Sequence, residues 1–176
     1  VINDFVKENG LQDFLCMDSD VLFYCNVDDV FNHYLGCDFT ICNKLGPGCS
    51  LFNAHSIKSF CDYMMLMYTS PSYINKMDGI YENLKSEKKL GGICDMTAFV
   101  WYQENVKCNV IDIATPIEGS CFDGCITWSA GFEMKNGKKK VYWKENLPYG
   151  KLESDNSLIR FYCLHFQGRS KYSIFK

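Results

Sequence analysis

The chain has 176 residues, 47% of them hydrophobic and 22% charged, which suits one domain with a sizeable core. A net charge of -3 offers no electrostatic footprint for nucleic acid. No apolar run is long enough to span a bilayer, and the N-terminus carries no signal-like pattern. The eleven cysteines are scattered and form no repeated CxxC pattern. Their odd number predicts reduced, mostly buried thiols in a cytoplasmic setting, with zinc or disulfides as the alternatives. The absence of an Asn-x-Ser/Thr sequon fits that setting.

In chain order, residues 1–10 read as the end of a helix with Ile2, Phe5 and Val6 on one side and Gly10 as its stop. Phe14 to Tyr24 reads as a buried strand interrupted by Asp18 and Asp20. Asn26 with Asp29 predicts a cap for a short helix from Asp28 to Tyr34. A strand over Asp38 to Cys42, a turn at Gly46-Pro47-Gly48 and a strand from Ser50 to Asn53 follow. Next comes a helix to about Tyr68, with Ile57, Phe60, Cys61, Met64, Met67 and Tyr68 at helical spacing. The methionines read as core filler. Ser70-Pro71 starts a further helix with Ile74, Met77, Tyr81 and Leu84 as its stripe, ending in the charged residues 86–89.

Gly91-Gly92 leads into Asp95 and an apolar helix through Tyr102. Val110 to Ile113 reads as a strand, Thr115 to Gly119 as a turn and Cys121 to Trp128 as irregular. Phe132 to Lys144 reads as a hairpin turning at Asn136-Gly137, a type I′ signal. Its Lys135, Lys138, Lys139, Lys140 and Lys144 are expected on a solvated face, the alternative being contact with an anionic acceptor or a membrane surface. Leu158 to Leu164 is a late buried strand that ends at His165. Helices and strands mixed in this way predict an α/β fold, with a mixed sheet flanked by helices.

Two stretches carry the chemistry. An ionised carboxylate in a buried strand is costly unless it meets a cation or several donors. Asp18 and Asp20, at i and i+2 of an extended chain, would project to one face about 6.5 Å apart and converge on one hard divalent cation. His165-Phe-Gln-Gly168-Arg-Ser-Lys171 is the second stretch. Its imidazole can complete a metal site begun by carboxylates. Gly168 lets the backbone approach a ligand, and Lys171, with Arg169, can neutralise phosphate charge. Taken together, these residues suit a divalent cation bridging a diphosphate. An EF-hand is excluded, because Leu22, Phe23 and Asp29 fill the fifth, sixth and twelfth positions of the loop that Asp18 would open.

The strand with Asp18-Ser19-Asp20 resembles the DxD segment of A-type nucleotide-sugar glycosyltransferases. His165-x-x-Gly168-x-x-Lys171 is similar to the terminal HxxGxxK of the glycogenin and lipopolysaccharide galactosyltransferase group, and Gly92-Ile-Cys-Asp95-Met-Thr resembles the segment where such enzymes place an acid facing the sugar. The resemblance runs from about Phe14 to Lys171. It implies a GT-A fold and a single catalytic domain over residues 1–176. Asp18, Asp20 and His165 would be ligands to Mn²⁺ or Mg²⁺, with Asp18 also near the donor ribose. Gly168 and Lys171 would contact the donor diphosphate, and Asp95 would orient or deprotonate the acceptor hydroxyl. The simpler reading of Asp95 is an acid favoured by a helix N-terminus. Trp128 and Trp101 are candidates for stacking on sugars, Trp101 also for core packing.

The implied partners are a nucleotide-diphosphate sugar and a glycan, lipid or protein acceptor. The pattern is incomplete in two places. Tyr172-Ser173 stands where the group has Pro-Trp. Such enzymes also carry a nucleotide-binding βα half before the DxD strand, whereas 17 residues precede Asp18 here. The chain is therefore expected to be the C-terminal part of a longer one. The competing readings are a non-catalytic metal- or carbohydrate-binding domain and a metal-dependent phosphohydrolase.

Overall fold

A computed structural model describes residues 2–34, 36–43, 46, 48–89 and 92–174. Pro47 and Gly91, each within an expected turn, lie outside the described residues. The fold is mixed α/β. Helix α1 (Ile2–Glu8) leads to strands β1 (Asp13–Met17) and β2 (Val21–Phe23), followed by α2 (Val27–Phe31) and a 3-10 turn. Strands β3 (Phe39–Ile41) and β4 (Cys49–Asn53) precede three helices, α3 (Ala54–Thr69), α4 (Pro71–Ser86) and α5 (Asp95–Asn105). The remainder is mostly β: β5 (Val110–Asp112), β6 (Ser120–Cys121), β7 (Met134–Lys135), β8 (Lys138–Lys139), β9 (Tyr142–Lys144), β10 (Leu147–Lys151), β11 (Leu158–Phe161) and β12 (Cys163–His165). A 3-10 helix, Gly168–Ser173, follows.

The first sheet has the order β1-β4-β3-β5, antiparallel except for the parallel β3–β5 pair. Alternation along its strands buries both faces. Phe39, Ile41 and Phe52 face helices α1, α3, α4 and α5 in one core, whereas Cys49 and Leu51 face a second core with Val21, Val30 and Phe122. The aromatic side chains dominate the first core. Phe60 and Phe99 stack with centroids 3.9 Å apart, and Phe39 lies between the rings of Phe52, Phe99 and Tyr102. The second sheet, β6-β11-β10-β9, closes over Phe132 and Phe161.

Short-range expectations are largely met. Gly10 at φ 62° ends α1 with Gly10 N–H on Lys7 O and Leu11 N–H on Val6 O, the paired bonds of a Schellman stop. Asn26 caps α2 through Asp28 N. Asn136 and Gly137 turn the β7–β8 hairpin with φ of 52° and 74°, as a type I′ turn requires.

Several expectations need correction. The stretch from Phe14 to Tyr24 is not one strand: β1 and β2 belong to different sheets, and the chain turns between them, with Val21 N–H on Asp18 O at 3.3 Å. The late strand breaks likewise at Tyr162, so that β12 pairs with β2 rather than extending β11. In α4 the inward stripe is Tyr73, Met77 and Ile80, of which Met77 is buried and the others partly so, while Ile74 and Tyr81 are exposed. At the N-terminus, likewise, Val6 alone of the expected trio is buried.

The lysine-rich hairpin is also shorter than expected and is followed by a second, β9–β10. Lys139 departs from the expected solvated face. Its side chain is 1% exposed and bonds Asp123, also buried, at 2.5 Å.

Candidate metal centre

The β2–β12 pairing assembles the site. It sets His165 opposite Val21, and Phe166 N–H donates to Asp20 O at 3.0 Å. The turn before β2 and the end of β12, distant in sequence, are thereby stitched into one corner. Asp18, Asp20 and His165 each offer a ligand atom within 4.8 Å of the others. His165 Nε2 stands 3.3 Å from Asp20 Oδ1 and 3.6 Å from Asp18 Oδ2. Asp20 is buried and Asp18 is exposed on its outer side.

The state of the imidazole follows from its other nitrogen. His165 Nδ1 lies 2.9 Å from Gly124 O, and because a carbonyl only accepts, Nδ1 carries the hydrogen. In the neutral ring Nε2 then presents a lone pair. His165 is 1% exposed, and Nε2 has no hydrogen-bond partner. A buried lone pair facing two carboxylates is repulsive unless positive charge stands among them. Two carboxylate oxygens and one imidazole nitrogen form a donor set suited to Mn²⁺ or Mg²⁺. The residues thus fit the ion expected from the sequence.

The turn at Gly48 shapes the same corner. Gly48 O accepts from Asp18 N at 2.9 Å. A Cβ on Gly48 would stand 2.7 Å from His165 Cε1 and 3.5 Å from Asp18 Oδ2. Only a glycine lets that backbone pass so close to the His165 ring.

A cleft of about 180 Å³ opens over the corner, its walls including Asp18, Gly48, Asp95, Met96, Trp128 and His165. Asp95 is the first residue of α5 and accepts from Met96 N at 2.9 Å. It lies on the cleft wall and at a helix N-terminus. Partial burial pushes the Asp18 carboxyl up; His165 opposes this, while Asp20 and Asp95 add to it. Met96 and Trp128 also line an adjoining trough of about 460 Å³ with Val100 and Trp101. Trp128 is 43% exposed, whereas Trp101 is buried beneath Lys76.

The remaining expected residues are placed differently. Lys171 Nζ pairs with Asp20 Oδ2 at 3.1 Å, so it belongs to the cluster through a carboxylate. Gly168, at φ 59°, begins the 3-10 helix with open space where a Cβ would stand. Neither residue lines the cleft. Sequence reasoning missed Gly48, taken only as part of a turn, and the Asp123-Gly124-Cys125 segment, read as irregular. The Asp-Gly step was the one local signal of a turn there.

All eleven cysteines are free, and Cys42, Cys49, Cys121, Cys125 and Cys163 are buried. Burial pushes the Cys25 thiol up to about 11 and those of Cys42 and Cys163 well above their ordinary value. Such thiols pack; they are poor nucleophiles. Among the described residues, no helix is long and apolar enough to cross a membrane.

The chain matches no family model, and no significant similarity to a curated protein or a solved structure was found.

Proposed function

We propose that the chain is a metal-dependent glycosyltransferase that moves a sugar from a nucleotide-diphosphate donor to a glycan, lipid or protein hydroxyl. The observation that carries this reading is the buried, unpartnered Nε2 of His165 facing Asp18 and Asp20. The DxD and HxxGxxK resemblance supplies the step from cation to nucleotide sugar, and the mixed α/β architecture is compatible with a GT-A fold. In that group, retention of anomeric configuration is the favoured outcome.

On this reading the bound cation supplies charge neutralisation for the departing nucleoside diphosphate. Asp18, Asp20 and His165 hold that position. Lys171 adds positive charge to the cluster through its pair with Asp20. Asp95 orients the acceptor hydroxyl from the cleft wall and can accept its proton as the new glycosidic bond forms. Trp128 presents a half-exposed ring against which a sugar face can stack. The cleft thus has room for the transferred sugar beside the cation position, while the larger trough beyond Met96 and Trp128 takes the acceptor.

The test is a panel of nucleotide sugars incubated with the chain, and with any longer form of it, in the presence of Mn²⁺ or EDTA. Slow release of nucleoside diphosphate that requires Mn²⁺ is the expected result. Sugar binding indifferent to metal and without turnover would replace this reading with a carbohydrate-binding module.

A further inference from the structure

Asp123 and Lys139 lie behind the candidate metal centre, not in it, with side chains 0% and 1% exposed. Removing two charges from water is costly, and a buried pair returns little net stability over apolar packing. What the pair orients therefore matters more than what it stabilises. Asp123 Oδ1 accepts from Lys139 Nζ at 2.5 Å and from Cys125 N at 3.3 Å. Asp123 Oδ2 accepts from His165 N at 3.1 Å. Lys139 Nζ also donates to Cys125 O at 2.8 Å. Around them, Lys139 N donates to Ile126 O at 2.7 Å and Ile126 N to His165 O at 2.9 Å.

Between the two pinned residues lies Gly124, whose carbonyl meets His165 Nδ1. The space there is tight, because a Cβ on Gly124 would run into the side chains of Asn43 and Cys42. The pair thus fixes the peptide that fixes the ring.

We propose that Asp123 and Lys139 are positioning residues for His165: they hold the Gly124 carbonyl against Nδ1, so that the hydrogen stays on Nδ1 and Nε2 faces the cation. This rests on the metal reading for its purpose, but the tautomer it predicts does not. Partners of this kind around a ligating histidine change metal affinity by about 10–100-fold when lost.

Two measurements on the full chain test the proposal. In the first, ¹⁵N-histidine labelling reports which ring nitrogen of His165 bears hydrogen in the wild type. Nδ1–H is expected, and a bare Nδ1 would overturn the proposal whether or not Mn²⁺ binds. In the second, the double variant Asp123→Asn with Lys139→Met keeps the site neutral and close in volume. The amide at 123 leaves one oxygen to serve both N–H groups, and the change at 139 removes the ammonium. Mn²⁺ affinity at least tenfold weaker, with Nδ1–H lost or mixed, is expected. A folded double variant with wild-type affinity and Nδ1–H would make the pair merely structural. If that variant does not fold, Asp123→Asn alone is read in its place: Nδ1–H lost or mixed is expected, and Nδ1–H retained with wild-type Mn²⁺ affinity would make the pair merely structural. If the wild type binds no Mn²⁺, the metal reading falls while the tautomer still tests the positioning.

Discussion

His165 is the residue on which the candidate site turns, and its surroundings leave it little freedom. One ring nitrogen is held by Gly124 O, the other faces two acids, and Gly48 passes against the ring edge. A methyl group at position 48 would fall 2.7 Å from Cε1 and 3.2 Å from Nδ1. Either the ring or the backbone at position 48 must shift. Replacing Gly48 by Ala is therefore expected to weaken Mn²⁺ binding about tenfold or more while the protein still folds. Titration calorimetry on the variant, with circular dichroism as the folding control, checks this; wild-type affinity would show that the close approach does not matter. The acids and the histidine were legible as chemistry, because an acid pair between apolar runs is costly without a partner, whereas the pairing of Lys171 with Asp20 was not. Gly48 was not, because its role lies in what it omits, and that depends on a neighbour 117 positions away in the chain.

At the scale of elements, the β-rich half shows where local signals stop. Asn136-Gly137 announced its hairpin correctly. The next hairpin turns on Glu145 and Asn146, both at positive φ, a pair without the glycine that marks such turns. The lysines of this region read as a solvated face by composition, yet Lys139 is buried on Asp123 and Lys140 serves Glu133. A lone lysine in a charged run gives no sign that a distant carboxylate awaits it.

Glu133 joins this region together. It accepts from Lys140 at 2.8 Å, Tyr142 at 2.5 Å and Lys151 at 3.0 Å, and these bonds hold its carboxyl down to about 2 from an ordinary 4.5. Because the folded value lies below the unfolded one, the contribution is complete above about pH 4.5 and is lost as pH falls toward 2. Melting curves of wild type and Glu133→Gln are expected to differ at neutral pH and converge toward pH 2. A gap that stays constant with pH would show that the ionised carboxylate is not what clamps the hairpins.

Across the whole molecule, the α/β class was readable from periodicity, while the connection between the sheets was not. Asp18 to Asp20 lies where the chain leaves one sheet, and His165 ends a strand that left another. The strand breaks before and after them, invisible as apolar runs, are what create the corner. Splitting each run in two lets β2 and β12 pair and brings the distant ends together with their polar groups facing a cleft.

The central claim, that Asp18, Asp20 and His165 hold one divalent cation for a nucleoside diphosphate, is tested most directly by calorimetric titration of Mn²⁺ into the chain and into Asp20→Ala, with and without a nucleoside diphosphate. Saturable one-site binding in the wild type, tightened by the nucleotide and lost in the variant, is the expected result. Absence of Mn²⁺ binding to the folded wild type, or equal binding to both proteins, would contradict it.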